Sequence, residues 1–425
     1  MLLRFTVENY LIFREAATLS MEAVARIDKD KAADSVFQQG KYALLKSAAI
    51  FGANGSGKSS LIRAMELMQR MIIHSARESQ ANDEIDVQPF KLSEASRMAP
   101  SAFEAEFLIG SDAYRYGFEA TRKEIVSEWL YLSELSGREK RLFERERSSI
   151  ELGKAFAEGK GLAQRTRPNA LFISVAAQFN GPVASKVLRW ASGMHIISGL
   201  DDRHFQVETL ELMEQDPAFA ERVSQLVRSA DTGISGLRIS KKPQLPGVRP
   251  PEAMEWAVTS IHEPQPDGEM PVEFDLEEES EGTRKFFRMA GPVLRALQEG
   301  SILVVDELDA RLHPSLVRVL VRLFNFAETN PRNAQLIFAT HTTHLLDADM
   351  LRRDQIWFTE KSSIFDARLY SLAEFRPEGK AKVRNDAAYE RNYLKGRYGG
   401  VPELFDFAGP LLDAKQRYDQ ANPQD

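Results

Sequence analysis

One eight-residue segment constrains the fold of this chain more than any other feature. Residues 52–59 read Gly-Ala-Asn-Gly-Ser-Gly-Lys-Ser, which matches the phosphate-binding loop pattern at every fixed position. The apolar segment 48–51 precedes this loop, and apolar residues at helical spacing follow it from Leu61 to Ile72. A strand, a glycine loop and a helix start in this order surround phosphate groups with main-chain N–H groups. The pattern therefore predicts an α/β fold with a nucleotide phosphate site.

Two side chains of the loop have the chemistry that such a site needs. The Lys58 amine can reach the β- and γ-phosphates, and the Ser59 hydroxyl can ligate Mg²⁺. The residues expected to contact the nucleotide are Gly52, Asn54, Gly55, Ser56, Gly57, Lys58, Ser59 and Ser60.

A second apolar segment supplies two carboxylates. Residues 302–307 read Ile-Leu-Val-Val-Asp-Glu, and four apolar residues in succession are typical of a strand buried on both faces of a parallel sheet. Ligands bind at the carboxyl ends of such strands, where Asp306 would hold Mg²⁺. Glu307 would then orient and polarise the water that attacks the γ-phosphate.

The motifs that distinguish one class of phosphate-loop protein from another lie nearby. Residues 279–284 read Glu-Ser-Glu-Gly-Thr-Arg and open an apolar helical stretch, and a Ser-x-Gly turn at a helix start is a second anion site. Asp309 lies in the loop after Glu307, and a third apolar segment, 336–340, ends at His341.

This order of motifs resembles the ABC-type ATPases, in particular the soluble branch that contains SMC, RecF and OLD proteins. The opening Glu8-Asn9-Tyr10 is similar to the Asn-aromatic start of that branch. Residues 354–358 and the segment 392–402 look like the stand-alone AAA family ATPases that include the restriction-linked RloA proteins. The resemblance covers residues 1–150 and 275–402 well and the middle of the chain loosely.

The resemblance implies a fold and a set of roles. The fold is an ABC-type ATPase head with a mainly parallel central sheet, a small antiparallel β-subdomain and a partly helical insertion. Ser280, Gly282 and Thr283 would be the signature motif, which contacts the γ-phosphate held by a second subunit; Glu281 departs from the usual small residue. Asp309 would lie at the dimer interface, and His341 would sense the γ-phosphate. Gln88 is the candidate for the glutamine that contacts Mg²⁺, and a solvated loop residue is the alternative.

Other classes of phosphate-loop protein fit less well. The sequence lacks the Asn/Thr-Lys-x-Asp motif that reads guanine, so adenine is favoured. A ring-forming AAA+ ATPase would not explain residues 280–283 or the strand that ends at His341.

The chain of 425 residues contains no cysteine, which excludes thiol catalysis and fits a reducing cytoplasm. No apolar run is long enough to span a bilayer, so we expect no membrane partner.

The spacing of the motifs predicts three regions. Residues 1–100 form an N-terminal lobe of the ATPase domain, residues 101–275 an inserted β and helical region, and residues 276–425 a C-terminal lobe with a basic tail. Segments 103–109 and 114–120 read as a hairpin around a Gly-Ser-Asp turn. Residues 376–397 of the tail contain more Lys and Arg than Asp and Glu. This basic segment either docks DNA or an acidic partner, or is simply a solvated face.

Two functions follow from this sequence. The first is a Mg²⁺-dependent ATPase that acts as a homodimer or higher oligomer, and the resemblance implies a bacterial phage-defence or DNA-maintenance protein that regulates a separately encoded nuclease. The alternative is a nucleotide-gated scaffold whose slow turnover times the docking of a nuclease or DNA. Both use every motif above, so the rate of turnover would distinguish them.

Overall fold

The computed structural model describes residues 1–25, 27, 33–78, 80, 82–133, 139–198, 203–230, 233–241, 256–264, 270–376 and 388–402. The strands of this part of the chain are β1 (Leu2–Glu8), β2 (Ala17–Ser20), β3 (Val36–Gln39), β4 (Tyr42–Leu45), β5 (Ser47–Phe51), β6 (Ser101–Ile109), β7 (Asp112–Ala120), β8 (Ile125–Ser133), β9 (Glu139–Glu146), β10 (Ser149–Leu152), β11 (Met194–Ser198), β12 (Ile234–Lys241), β13 (Trp256–His262), β14 (Val272–Asp275), β15 (Ile302–Asp306), β16 (Gln335–Ala339), β17 (Ile356–Lys361) and β18 (Ala367–Ser371). Its α-helices are α1 (Lys58–His74), α2 (Glu94–Met98), α3 (Phe172–Gln178), α4 (Pro182–Ser192), α5 (Arg203–Gln215), α6 (Pro217–Arg228), α7 (Glu281–Glu299), α8 (Pro314–Asn325) and α9 (Tyr389–Leu394).

The central sheet contains the strands that the motifs predicted. Its order is β11-β15-β16-β5-β17-β18, and every neighbouring pair is parallel except β17 with β18. Alternate side chains of a strand enter opposite cores: Val304 packs in one apolar cluster, and Val305 packs in the other. Both faces are therefore covered, which explains why these strands are continuous apolar runs.

The second sheet is antiparallel, and its neighbouring strands follow the order β10-β9-β8-β7-β6-β1-β2. The predicted hairpin is confirmed, since β6 pairs with β7 from Ser101↔Ala120 to Ile109↔Asp112. With seven strands this sheet is larger than the small subdomain that the sequence predicted, because the N-terminal β1 pairs with β6. The alternating apolar pattern of β1 gives it one face, with Phe5 and Val7, that packs in the apolar cluster covering this sheet.

The strands of the three predicted regions are shared between sheets. The antiparallel sheet contains strands from both sides of residue 100, and β11, from the region 101–275, pairs with β15. The division of the chain into three regions at residues 100 and 275 stays a prediction.

A three-stranded sheet, β12-β13-β14, precedes α7. None of the helices in the described part of the chain has the length and apolar character needed to cross a bilayer.

Candidate functional site

The loop after β5 depends on glycines at two tight positions. Gly52 and Gly57 have φ values of 154° and 121°, which side chains rarely adopt. A Cβ atom at residue 52 would lie 2.5 Å from the carbonyl oxygen of Thr359, and one at residue 57 would lie 3.2 Å from the Phe13 ring. Only residues without a side chain fit at these two positions, and this lets the main chain follow the curled path that the motif predicted.

Lys58 is the first residue of α1 and is almost fully buried. Its amine donates to the carbonyl oxygens of Gly52 at 2.7 Å and Ala53 at 3.1 Å, so it lies across its own loop. Burial lowers the pKa of Lys58, whereas the charges of Asp306, Glu307 and Asp309 oppose this shift. The segment that follows β15 thus places three carboxylates where their charges act on this amine.

The N-terminus of α1 is available to bind an anion. Its N-cap is Gly57, and no side chain of the described residues caps its first turn. The first N–H groups of a helix lack partners within the helix, and the helix dipole adds partial positive charge there. These groups and Lys58 together favour a bound phosphate.

One cleft brings together residues that are far apart in the sequence. It has a volume of about 370 Å³ and is lined by Asn54, Gly55, Gly57, Lys58, Ser59, Ser60, Glu307 and His341. Gly52 and Ser56 do not line the cleft; they face β17 behind the loop, where the Ser56 hydroxyl lies 2.6 Å from that of Thr359. Sequence reasoning missed Thr359, although a polar residue after the apolar run 356–358 was a usable signal.

The two carboxylates that follow β15 differ in their surroundings. The Oδ1 atom of Asp306 is buried and has no hydrogen-bond partner among the described residues. A buried carboxylate oxygen is stable when it is paired or coordinates a cation, so this atom is suited to a cation or its bound water. Glu307 has a φ of 53°, a left-handed conformation that turns the chain directly after the strand and lets its side chain line the cleft.

His341 lies at the end of β16 and is held by the loop that follows Glu307. The Asp309 carboxylate accepts the main-chain N–H of His341 at 3.1 Å and the Thr342 hydroxyl at 3.0 Å. The main-chain N–H of Leu308 donates to Ala339 at 3.0 Å, which joins the same two segments. The predicted interface residue Asp309 thus contacts the segment of His341 within its own subunit.

The predicted signature residues lie outside the cleft. Ser280 is exposed and caps α7, with its Oγ accepting the main-chain N–H of Thr283 at 3.1 Å. A Cβ atom at Gly282 would lie 3.1 Å from the carbonyl oxygen of Arg311. Arg311 also pairs with Glu281 at 2.8 Å, which fixes the start of α7 against the loop that contains Asp309.

Gln88 borders a second, largely apolar cavity of about 470 Å³ that shares Gly55 and Ser60 with the cleft. Other residues lining this cavity include Leu11, Ile12, Phe90, Lys361 and Phe365. The side chain of Gln88 is exposed, and its carbonyl oxygen accepts the N–H of Leu11 at 2.8 Å. Sequence reasoning did not identify this cavity, because its walls come from four separate segments of the chain.

A parallel sheet with a glycine loop at its carboxyl edge, followed by a helix and faced by two strand-end carboxylates, defines a phosphate-loop nucleotide-binding protein. Residues 47–347 match the model of the family described as "AAA domain, putative AbiEii toxin, Type IV TA system". The chain belongs to this family, and the membership confirms the predicted likeness to AAA family ATPases.

Comparisons with other known proteins give only distant likenesses. The structure is similar to the SmcHead bound to the C-winged helix domain of ScpA, at 10% identity and a TM-score of 0.42, over 87% of this chain and 97% of that chain. It is also similar to the recombination mediator protein RecF with ATP, at 12% identity and a TM-score of 0.30, over 88% of this chain and 97% of that one. No curated protein matches the chain.

Proposed function

We propose that this protein hydrolyses ATP at the cleft beside the phosphate loop. The observation that carries the proposal is that Lys58, Ser59, Glu307 and His341, from three separate segments, line this one cleft. The α1 N-terminus supplies main-chain N–H groups to the phosphates, and the Lys58 amine exchanges its bonds to the loop carbonyls for bonds to the β- and γ-phosphate oxygens.

Glu307 is the residue best suited to activate water. Its side chain lies across the cleft from the loop, and a carboxylate there can accept a hydrogen bond from the attacking water. As water attacks the γ-phosphorus in line, the bond to the β-γ bridging oxygen breaks, and ADP and inorganic phosphate are formed. Lys58 and the helix N-terminus stabilise the negative charge of the transferring group, and His341 contributes a donor from the opposite wall.

The residues of the site fit a magnesium ion. Ser59 at the start of α1 and Asp306, with its unpartnered buried Oδ1, are oxygen donors of the kind that Mg²⁺ prefers. When bound, Mg²⁺ would neutralise phosphate charge and polarise the γ-phosphoryl group. Gln88 would contribute from the side of the second cavity, which adjoins Ser60. The carboxylate charge of Asp306 also opposes the lowering of the Lys58 pKa that burial causes.

The second cavity is suited to the adenine base. It is mostly apolar, with Leu11, Ile12 and Phe365 in its wall, and it opens next to the loop residues that face the phosphates. A flat aromatic base gains from contact with apolar and aromatic side chains. The Asn9 amide, which donates to the carbonyl of Ser96 at 2.8 Å and accepts from Phe90, fixes the turn that supplies this wall.

The active form is proposed to be a dimer with two ATP molecules between its subunits. Ser280 is exposed and outside the cleft of its own subunit, which leaves its helix start free to contact the nucleotide of a second subunit. Asp309 would transmit that contact, because Glu281 and Arg311 connect the start of α7 to its loop.

A role in defence is supported by the description of the family, which names a putative toxin of a toxin–antitoxin system. We propose that the ATPase regulates a partner, either a nuclease-like effector or DNA. Arg391, Lys395 and Arg397 of the basic tail are exposed, whereas Lys380, Lys382 and Arg384 lie outside the described residues.

Phosphate release and isothermal titration with ATP test the proposed activity directly. Wild-type protein should bind ATP and release phosphate, and Lys58→Ala should abolish binding or hydrolysis because it removes the cation aimed at the phosphates. A Lys58→Ala variant that matches the wild type in both assays would show that the loop is not an ATP site.

A further inference from the structure

The segment 388–402, here called the C-terminal brace, contacts two parts of the nucleotide site from behind. It consists of the short helix α9 and a glycine turn, with Gly396, Gly399 and Gly400 at φ values of 71°, 71° and 66°. Its sequence, Asn-Tyr-Leu-Lys-Gly-Arg-Tyr-Gly-Gly-Val-Pro from residue 392, has no role in the ATPase site described above. Its contacts, however, lead directly to that site.

The first end of the brace holds the segment that follows His341. The carboxylate of Glu390 accepts the hydroxyl of Thr343 at 2.7 Å and lies 3.1 Å from Nδ1 of His344. The main-chain N–H of Glu390 donates to the carbonyl of Leu346 at 3.2 Å. Three contacts of Glu390 therefore hold residues 343–346, the turn that directly follows His341 and Thr342.

The second end of the brace holds β17. The N–H of Gly400 donates to Oε1 of Glu360 at 3.1 Å, and the Tyr370 hydroxyl donates to the carbonyl of Tyr398 at 2.7 Å. Within the brace, the buried hydroxyl of Tyr393 donates to the carbonyl of Gly400 at 3.0 Å. These bonds hold the glycine turn against β17, which carries Thr359, and against its neighbour β18.

The close approach of the turn explains its glycines. A Cβ atom at Gly399 would lie 2.4 Å from Oε1 of Glu360 and 2.5 Å from the Tyr370 hydroxyl. At these distances a side chain would displace the two groups that hold the turn. The positive φ of the turn also favours glycine over other residues.

Thr359 connects this end of the brace to the phosphate loop. Its hydroxyl lies 2.6 Å from the Ser56 hydroxyl and donates to the carbonyl of Phe51 at 3.3 Å. Its carbonyl oxygen is packed between two glycines, since a Cβ atom at Gly52 would approach it to 2.5 Å and one at Gly400 to 3.3 Å. The loop and the brace thus pack against the same residue from opposite directions.

We propose that Glu390 and the Gly399–Gly400 turn are positioning elements of the ATP site, with Glu390 setting the position of His341 and the turn setting that of the phosphate loop through Thr359. This inference rests on the proposed ATPase function. It predicts that the two ends of the brace control different kinetic parameters, which a general loss of stability would not do.

Glu390→Ala tests the first end. The substitution removes the acceptor of the Thr343 hydroxyl, and we expect kcat to fall about ten- to a hundredfold, the scale of a small misplacement of a reacting group. The Kd for a fluorescent ATP analogue should stay within about twofold of wild type, because the phosphate loop is untouched. Glu390→Gln keeps an acceptor oxygen and should recover most of kcat. Leu394→Ala, at an exposed position of the same helix α9, is the matched control.

Gly400→Ala tests the second end. The added methyl group meets the Thr359 carbonyl at a strained φ, and we expect the Kd for the ATP analogue to rise about fivefold or more, the scale of one lost hydrogen bond. Glu360→Ala removes the acceptor of the Gly400 N–H without changing the turn residue, and it should raise the Kd in the same way. This variant keeps the test available if Gly400→Ala does not fold. In both variants kcat at saturating ATP should stay near the wild-type value, in contrast to the fall expected for Glu390→Ala.

The outcomes separate the brace from the ATPase proposal. If Lys58→Ala abolishes hydrolysis but Glu390→Ala and Glu360→Ala both match the wild type, the brace does not position the site. Parallel losses of kcat, ATP affinity and melting temperature in each variant, without recovery in Glu390→Gln, would show a merely structural role. If Lys58→Ala retains wild-type hydrolysis, the ATPase proposal fails, and the inference about the brace fails with it.

Discussion

The carboxylate of Asp309 accepts the main-chain N–H of His341 at 3.1 Å, within one subunit. This bond connects the loop that follows Glu307 with the segment that follows β16, and Glu307 and His341 both line the cleft. A movement of the loop at a dimer interface would therefore move His341 as well. In the proposed dimer, a contact made by the loop of Asp309 with the second subunit would thus reach His341 at the cleft through this bond.

The Asp309 bond makes a first prediction. Asp309→Ala leaves the N–H of His341 and the hydroxyl of Thr342 without their acceptor, so His341 should lose its fixed position. We expect kcat for ATP hydrolysis to fall about tenfold or more, with little change in the Kd for ATP. Asp309→Asn keeps one acceptor oxygen and should lie between Ala and wild type. Equal kcat values for all three proteins would contradict a positioning role for Asp309.

Glu307→Gln should separate ATP binding from hydrolysis. The amide is nearly isosteric, so Lys58 and Asp306 keep their positions, but it cannot accept a proton from water. We expect hydrolysis to slow by a factor of about 10² or more in a phosphate-release assay, while ATP binding by titration is unchanged. The ATP-bound dimer should then accumulate and be visible by light scattering with ATP but not with ADP. Hydrolysis at the wild-type rate would move the base elsewhere, with His341 the next candidate.

Mixing of two inactive variants tests the shared site. Ser280→Asp keeps an N-cap acceptor for α7 but adds a negative charge toward the nucleotide of a partner subunit. It should be inactive alone, and so should Lys58→Ala. A heterodimer of the two contains one intact loop facing one intact signature, so mixing should restore about one working site per heterodimer.

Ser280→Thr, which keeps the hydroxyl, is the control for this mixing experiment. Gly282 is a poorer choice for the same test, because a side chain there meets the carbonyl of Arg311 in its own subunit. No recovery at any mixing ratio, with heterodimers demonstrated by native mass spectrometry, would count against the dimeric site.

The antiparallel sheet contains a buried ion pair between β8 and β9. Glu128 and Arg145 lie 3.4 Å apart with 0% and 2% of their side chains exposed, and Glu128 also accepts the N–H groups of Phe172 and Ile173 at the start of α3. Glu128→Ala leaves Arg145 charged and buried without its partner. We expect it to lower the free energy of unfolding by about 3–5 kcal/mol in urea denaturation.

An exposed ion pair on the same sheet is the matched control for this measurement. Glu124 pairs with Arg147, whose side chain is 64% exposed. Solvent screens such a pair, so Glu124→Ala should lower the free energy of unfolding by at most about 1 kcal/mol. Similar losses in the two variants would mean that the buried pair contributes no more than a surface pair.

Local sequence determined the phosphate-binding loop and the strands on both sides of it. The glycines at residues 52 and 57 are required by the main chain itself, and the continuous apolar runs before Glu307 and His341 identify strands covered on both faces. Each of these patterns lies within a few neighbouring residues, where spacing and residue type already limit the conformation. For the same reason the hairpin of β6 and β7 could be predicted with its turn.

Tertiary structure alone decided which of these residues meet. The order of strands in the sheet brings Glu307 and His341 to the loop, and it places Thr359 behind Ser56, more than 300 residues away in the chain. The partner of β1 and the contacts of Glu390 are equally non-local. Such contacts arise from the pairing of buried strands and from polar groups that need partners once water is excluded, and no short sequence pattern encodes that pairing.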